Sequence, residues 1–172
     1  MSENQQTVGR EERPSRKAVR GRNDRASRTI LASPHMLFRA FIDEEIMAAW
    51  RAPDGMSARF QRFDPRIGGG YHMVMRHEGE DSHKLGKTRP GEDEVIVTFL
   101  ELLPDERIVE AVEFVSDNPA FEGRMTLTTS FTPVKDGTKV MMQADNVPSG
   151  ISARDHKDGM TSALRNLARL TE

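Results

Sequence analysis

The stretch Phe63-Asp64-Pro65-Arg66-Ile67-Gly68-Gly69-Gly70 followed by Tyr71-His72-Met73-Val74-Met75-Arg76 constrains this chain more than any other. Pro65 fixes its own φ and withholds a backbone donor, and the three glycines admit positive φ, so the segment turns sharply. Beyond the turn, Tyr71, Met73 and Met75 alternate with His72, Val74 and Arg76, which gives a strand with one apolar face. With Met56 to Phe63 before it, the segment reads as a β-hairpin. Two short helical patterns ending at Trp50 precede this hairpin, and several strands and one C-terminal helix follow it. That order suits a curved antiparallel sheet wrapped around a long helix.

At 172 residues the chain is one domain's worth. A chain of this size buries roughly 70% of the surface its unfolded form exposes, enough for a core with a cavity in it. There is no cysteine, which excludes disulfides, thiol nucleophiles and thiolate metal sites. No apolar run approaches the roughly 20 residues needed to span a bilayer, and the N-terminus lacks the apolar core of a signal peptide. The expectation is a soluble, cytoplasmic protein without membrane contact.

The net charge of −2 is unevenly placed. Residues 1–28 carry eight arginines and lysines against four acids, so this end is basic and the body acidic. With almost no large apolar side chains, the end cannot bury enough surface to offset the entropy of ordering it. Residues 1–26 are therefore expected to form a disordered basic tail and residues 27–172 the folded domain. A nucleic-acid arm is the competing reading, and charges this sparse do not favour it.

Ser27 to Leu31 reads as a first strand. Ser33-Pro34 opens a helix, a hydroxyl at the cap and a proline where no donor is needed, and Leu37, Phe38 and Phe41 follow at helical spacing. Asp43-Glu44-Glu45 opens a second helix, acidic groups lying at the positive end of its dipole, and it should finish near Trp50, before Pro53-Asp54-Gly55. After the hairpin, residues 78–93 form a charged loop. Glu94 to Leu102 and Arg107 to Val115 are strands about the turn Leu103-Pro104-Asp105-Glu106. Gly123 to Thr132 and Thr138 to Asn146 make a terminal hairpin about Lys135-Asp136-Gly137. The segment from Ala153 to Leu170 is the longest helix, with Met160, Ala163, Leu164, Leu167, Ala168 and Leu170 as its apolar stripe.

Several of these residues, in this order, resemble one family. They are Ala32-Ser33-Pro34 before Phe38, Trp50 after an acidic helix, Phe63-Asp64-Pro65-Arg66 with Gly68-Gly69, Glu101 before Pro104-Asp105-Glu106-Arg107, and Gly159 before Leu164, Leu167 and Leu170. The family is that of the C-terminal domain of the activator of heat-shock protein 90 ATPase, within the START-like SRPBCC superfamily, and the resemblance covers residues 28–171. It implies an α+β helix-grip fold: a curved antiparallel sheet of six or seven strands around a long C-terminal helix, two short helices after the first strand, and a cavity between sheet and helix. Two positions depart from the pattern. Arg51 stands where many relatives have a second tryptophan, and Met160 where they have another aromatic, so the cavity mouth or lining differs.

On this reading the cavity is expected to be lined by Trp50, Phe60, Tyr71, Met73, Met75, Val97, Phe99, Glu110, Val112, Phe114, Met125, Leu127, Phe131, Met142, Met160 and Leu164. The methionines, with Met141, suit a surface that adapts to varied apolar ligands, with ordinary core filling as the competing reading. Trp50 is equally a plain core anchor whose indole donor meets a backbone carbonyl. Glu110 shares its strand face with Ile108, Val112 and Phe114, unless the register slips by one residue and puts it in water. Tyr71 is a candidate hydroxyl for a ligand.

His72, His77, Glu80, Asp81 and His83 are suitable metal-ligand types, but His77 and His83 straddle a loop and no helix presents them together, so no metal is expected. His156, beside Asp155 and Asp158, reads as a solvated surface group. There is no catalytic triad, no phosphate-cradling loop and no nucleotide fingerprint, and no catalytic residue or cofactor is assigned. The favoured function is non-enzymatic binding of a small hydrophobic molecule in the cytoplasm, with a role in stress response implied by the resemblance. Two alternatives stand beside it: a module that binds a chaperone ATPase as protein partner, and a cyclase- or hydrolase-like enzyme using Glu110. A homodimer is also open.

Overall fold

The computed structural model describes residues 21–172. The first twenty positions of the expected tail lie outside the described residues. Its last residues do not form tail at all, because strand β1 runs Asp24–Ile30, starting three residues before the expected Ser27. Asp24 is buried, and its carboxylate meets Arg22 and, from the last helix, His156.

The order of elements is otherwise the expected one. Helices α1 (Pro34–Ile42) and α2 (Glu44–Trp50) follow β1, each capped by a side chain: Ser33 Oγ accepts from the Met36 N–H and Asp43 Oδ1 from the Ile46 N–H. Strands β2 (Met56–Asp64), β3 (Gly70–His77), β4 (Glu92–Leu103), β5 (Arg107–Phe114), β6 (Arg124–Val134) and β7 (Gly137–Asp145) come next, and helix α3 (Ala153–Thr171) ends the chain. Two single 3₁₀ turns, Ser82–Lys84 and Pro119–Phe121, break up the loops.

All seven strands form one antiparallel sheet in the order β1-β7-β6-β5-β4-β3-β2. Every connection from β2 to β7 is between neighbours, and β1 closes against β7, with Ser27 opposite Met141. The register leaves inward and outward residues alternating cleanly along β6 and β7. Bulges between Phe60 and Arg62 on β2 and between Phe99 and Glu101 on β4 interrupt the ladder, each bending its strand.

Gly70 is where the hairpin cannot accept a side chain: its φ is +150°, and a Cβ there would lie 1.8 Å from the Val97 carbonyl oxygen on β4. The turn before it is tied to the sheet interior, since the Gly68 N–H donates to the Phe99 carbonyl.

Helix α3 buries Met160, Ala163, Leu164, Leu167 and Ala168. Leu170, expected in the same stripe, is 48% exposed. The core has a dense end and an open end. At the dense end Phe41 packs edge-on against both Trp50 and Phe131, with Leu37, Phe38 and Leu167 buried around them. The open end holds the site.

Candidate functional site

A cavity of about 720 Å³ lies between the inner face of β3 to β7 and helix α3. Its sheet wall follows directly from strand alternation. β3 contributes Tyr71, Met73, Met75 and His77, β4 Asp93, Val95 and Val97, β5 Val112 and Phe114, β6 Met125 and Leu127, and β7 Met142. Met160 and Ala163 of α3 face them, Arg51 stands at the Tyr71 end, and the rim comes from Met56, Lys87, Phe121 and Ile151. A second, smaller hollow of about 350 Å³ lies at the outside of α1, between His35, Phe38, Arg39 and Ile42 and the β4–β5 turn at Pro104 and Asp105.

Ten of the sixteen expected lining residues border the larger cavity: Tyr71, Met73, Met75, Val97, Val112, Phe114, Met125, Leu127, Met142 and Met160. The other six do not. Trp50 is 1% exposed, and its indole Nε1 donates to the Ala40 carbonyl at 3.0 Å, so it is a core anchor joining α1 to α2. Phe131 is held in the α1 cluster by Phe38 and Phe41. Phe99 packs edge-on behind Tyr71, and Phe60 packs against Tyr71 and Phe63 from β2, beyond the cavity wall. Leu164 is fully packed under α3. Met141 points to the outer face, as it must when its neighbour Met142 points inward.

Glu110 faces inward as the unslipped register requires and is completely buried. It stands one layer behind the wall: the Tyr71 hydroxyl, which borders the cavity, donates to Glu110 Oε2 at 2.5 Å. The Arg51 guanidinium completes the group, its Nη2 3.6 Å from the same oxygen and its plane near the Trp50 ring. Glu110 Oε1 is buried without a hydrogen-bond partner among the described residues. Burial, reinforced by the neighbouring Glu110, holds the Tyr71 phenol well above its ordinary value despite the opposing pull of Arg51. Desolvation alone would lower the Arg51 guanidinium, but attraction to Tyr71 and Glu110 outweighs it and leaves the group raised, hence charged. The cavity therefore ends in a polar floor that stays Arg⁺, neutral phenol at neutral pH.

Polar groups also mark the opposite rim. Asp93, 2% exposed, accepts from the Lys87 backbone N–H at 2.7 Å and from Lys87 Nζ at 2.8 Å, with His77 Nε2 3.4 Å from its second oxygen. This knots the loop after β3 onto β4. His72 and His77 stand on opposite faces of β3, and His72 pairs with Glu94 on the outside at 2.5 Å. No three His, Asp or Glu side chains converge as a metal site among the described residues. His156 is not a solvated group: its ring is 14% exposed and its Nδ1 is 2.8 Å from Asp24 Oδ2, pinning α3 to β1.

Among the lining residues the sequence reading missed are Arg51, Met56, His77, Lys87, Asp93, Val95, Phe121, Ile151 and Ala163. Arg51 carried a signal, since it replaces an expected aromatic directly after Trp50. Val95 and Ala163 share the strand face and helix stripe of residues that were expected, so periodicity could have found them, and the rest come from loops and strand ends, where it is silent.

Comparison with known proteins agrees with this architecture. The family model of Activator of Hsp90 ATPase homolog 1-like protein matches residues 31–172. A crystal structure of a protein from Chromobacterium violaceum is 27% identical, covers 87% of this chain and 96% of its own, and superposes with a TM-score of 0.76. One from Rhizobium loti is 28% identical over the same shares, with a TM-score of 0.66. A solution structure from Staphylococcus epidermidis, 19% identical over 88% of this chain and 90% of its own, shares the fold with a TM-score of 0.67. No curated protein matches the sequence. Among the described residues, no helix is long and apolar enough to cross a membrane.

Proposed function

Because the chain belongs to the family of Activator of Hsp90 ATPase homolog 1-like proteins, with its sheet folded around a C-terminal helix, we propose that it binds a small hydrophobic molecule in the space those two elements enclose. The observation that carries this reading is the cavity itself. At about 720 Å³ it lies within the range of roughly 300–1,000 Å³ found for small-molecule sites. Its wall is dominated by Met73, Met75, Met125, Met142 and Met160 with Val95, Val97 and Val112. Apolar burial against that wall supplies affinity, at about 25 cal/mol per Å² of ligand surface removed from water before the cost of immobilisation. Methionine's flexible thioether lets the wall fit ligands of varied outline. The polar groups are few and fixed, as orientation requires: Tyr71 and Arg51 at one end, His77 and Lys87 at the other.

Native mass spectrometry of the protein purified from its own host tests this directly. A co-purified small molecule, lost on mild activation, is the expected result. Protein that carries nothing and shows no thermal shift with a panel of lipids, aromatics and polyketides would leave the partner-binding alternative in its place.

A further inference from the structure

Every basic side chain on the cavity wall is already matched to a carboxylate. Arg51 faces Glu110 at 3.6 Å, Lys87 meets Asp93 at 2.8 Å, and Arg165 meets Asp54 at 3.0 Å. Of the two imidazoles there, His156 meets Asp24 at 2.8 Å, whereas His77 Nε2 lies 3.4 Å from Asp93 and makes no hydrogen bond among the described residues. The acids exceed the bases, because Asp155 and Asp158 of α3 also border the opening with no ion-pair partner among the described residues. A wall of this kind has no cation left over to receive an anion.

The polar end of the cavity still has hydrogen-bonding capacity. Tyr71 spends its only proton on Glu110, so its oxygen can only accept, from Arg51 beside it and from a guest. Arg51 borders the same space and stands 3.6 Å from Glu110, beyond hydrogen-bond reach, so N–H donors of its five remain for a guest. A group that both accepts and donates fits there: a hydroxyl or a primary amide. A carboxylate would find the Arg51 fork but would sit beside Glu110, a second buried negative charge that only one cation balances. An ammonium would meet Arg51 itself.

We infer that the ligand of this cavity is an uncharged amphiphile whose hydroxyl or amide end docks between Arg51 and Tyr71. This rests on the cavity-binding reading above and adds the class of molecule to it.

Calorimetric titration with decan-1-ol, decanoate and decylammonium at neutral pH separates the two ideas, since the probes share a chain and differ in head-group charge. The wild-type protein should bind decan-1-ol at least about tenfold more tightly than either ion. In Glu110→Gln the unmatched charge of Arg51 should raise decanoate affinity until the preference for the alcohol is lost. Arg51→Gln, which withdraws the cation from this end of the cavity, should widen the gap between alcohol and carboxylate instead. An ion preferred by the wild type, or an alcohol-to-carboxylate ratio unmoved by both variants, would overturn the ligand class while leaving the cavity as a binding site. Binding of none of the three probes by any of the proteins would overturn the cavity reading and the ligand class with it.

Discussion

Tyr71 on β3 and Glu110 on β5 stand two strands apart, and their side chains meet across β4 with the phenol oxygen 2.5 Å from the carboxylate. Both are completely buried, so this one bond satisfies most of what two polar groups in the sheet interior require. It also fixes the position of the Tyr71 hydroxyl at the cavity wall, with Arg51 beside it.

Because Tyr71 is the only tyrosine in the chain, its ionisation can be followed without assignment. Its folded pKa is raised, by burial first and by Glu110 next, above the ordinary value near 10. The unfolded chain therefore releases this proton before the folded one does. The stability linked to Tyr71 is complete below pH about 10 and declines as pH rises from there toward the folded value. Alkaline titration of tyrosinate absorbance should show no native transition near 10, with the signal appearing together with unfolding. A reversible native titration at the ordinary value would place the phenol in water.

Tyr71→Phe removes the donor and leaves the Glu110 carboxylate buried without a hydrogen bond. The expected loss is about 1–3 kcal/mol, read by chemical denaturation with the single Trp50 as the fluorescent probe. Glu110→Gln keeps that bond, because its amide oxygen can still accept from Tyr71, but it strips the buried Arg51 of its carboxylate and should cost at least as much. A loss in Glu110→Gln well below that in Tyr71→Phe would contradict this order.

Gly70→Ala places a methyl group against the Val97 carbonyl at a backbone angle unsuited to alanine. The strand pairing of β3 with β4 must shift or break, at a cost of at least about 1–3 kcal/mol. Gly55→Ala is the matched control: its φ is also positive, but open space surrounds it, so it should lose the smaller amount that backbone strain alone demands. Thermal melts of the two variants measure the difference, and equal losses would mean that the β3–β4 contact is looser than described.

Much of this architecture could be read from particular residues. The alternation of Tyr71, Met73 and Met75, the caps at Ser33 and Asp43, and the 3.6-residue stripe on the last helix are local signals, and the fold preserves each of them. Where the reading fell short, the deciding contact was distant in sequence. Ser27 gave way to Asp24 as the strand start because Asp24 meets His156, 132 residues away. Trp50, Phe99 and Phe131 have the same apolar character as true lining residues, and only tertiary packing separates core from wall: Phe41 of α1 against Trp50 and Phe131, and Tyr71 over Phe99. The pairing of Lys87 with Asp93 joins a loop to a strand, and no periodicity announces it.

The central claim is a void that admits a guest, and Ala163→Phe measures it most directly. Ala163 borders the cavity from α3 and is 5% exposed. If the space is open, the added ring enters it, the melting temperature holds or rises, and binding of the uncharged dye Nile red seen with the wild type is lost. If side chains fill that region solidly, the ring overpacks the core, the variant loses about 1–3 kcal/mol, and the wild type takes up no dye.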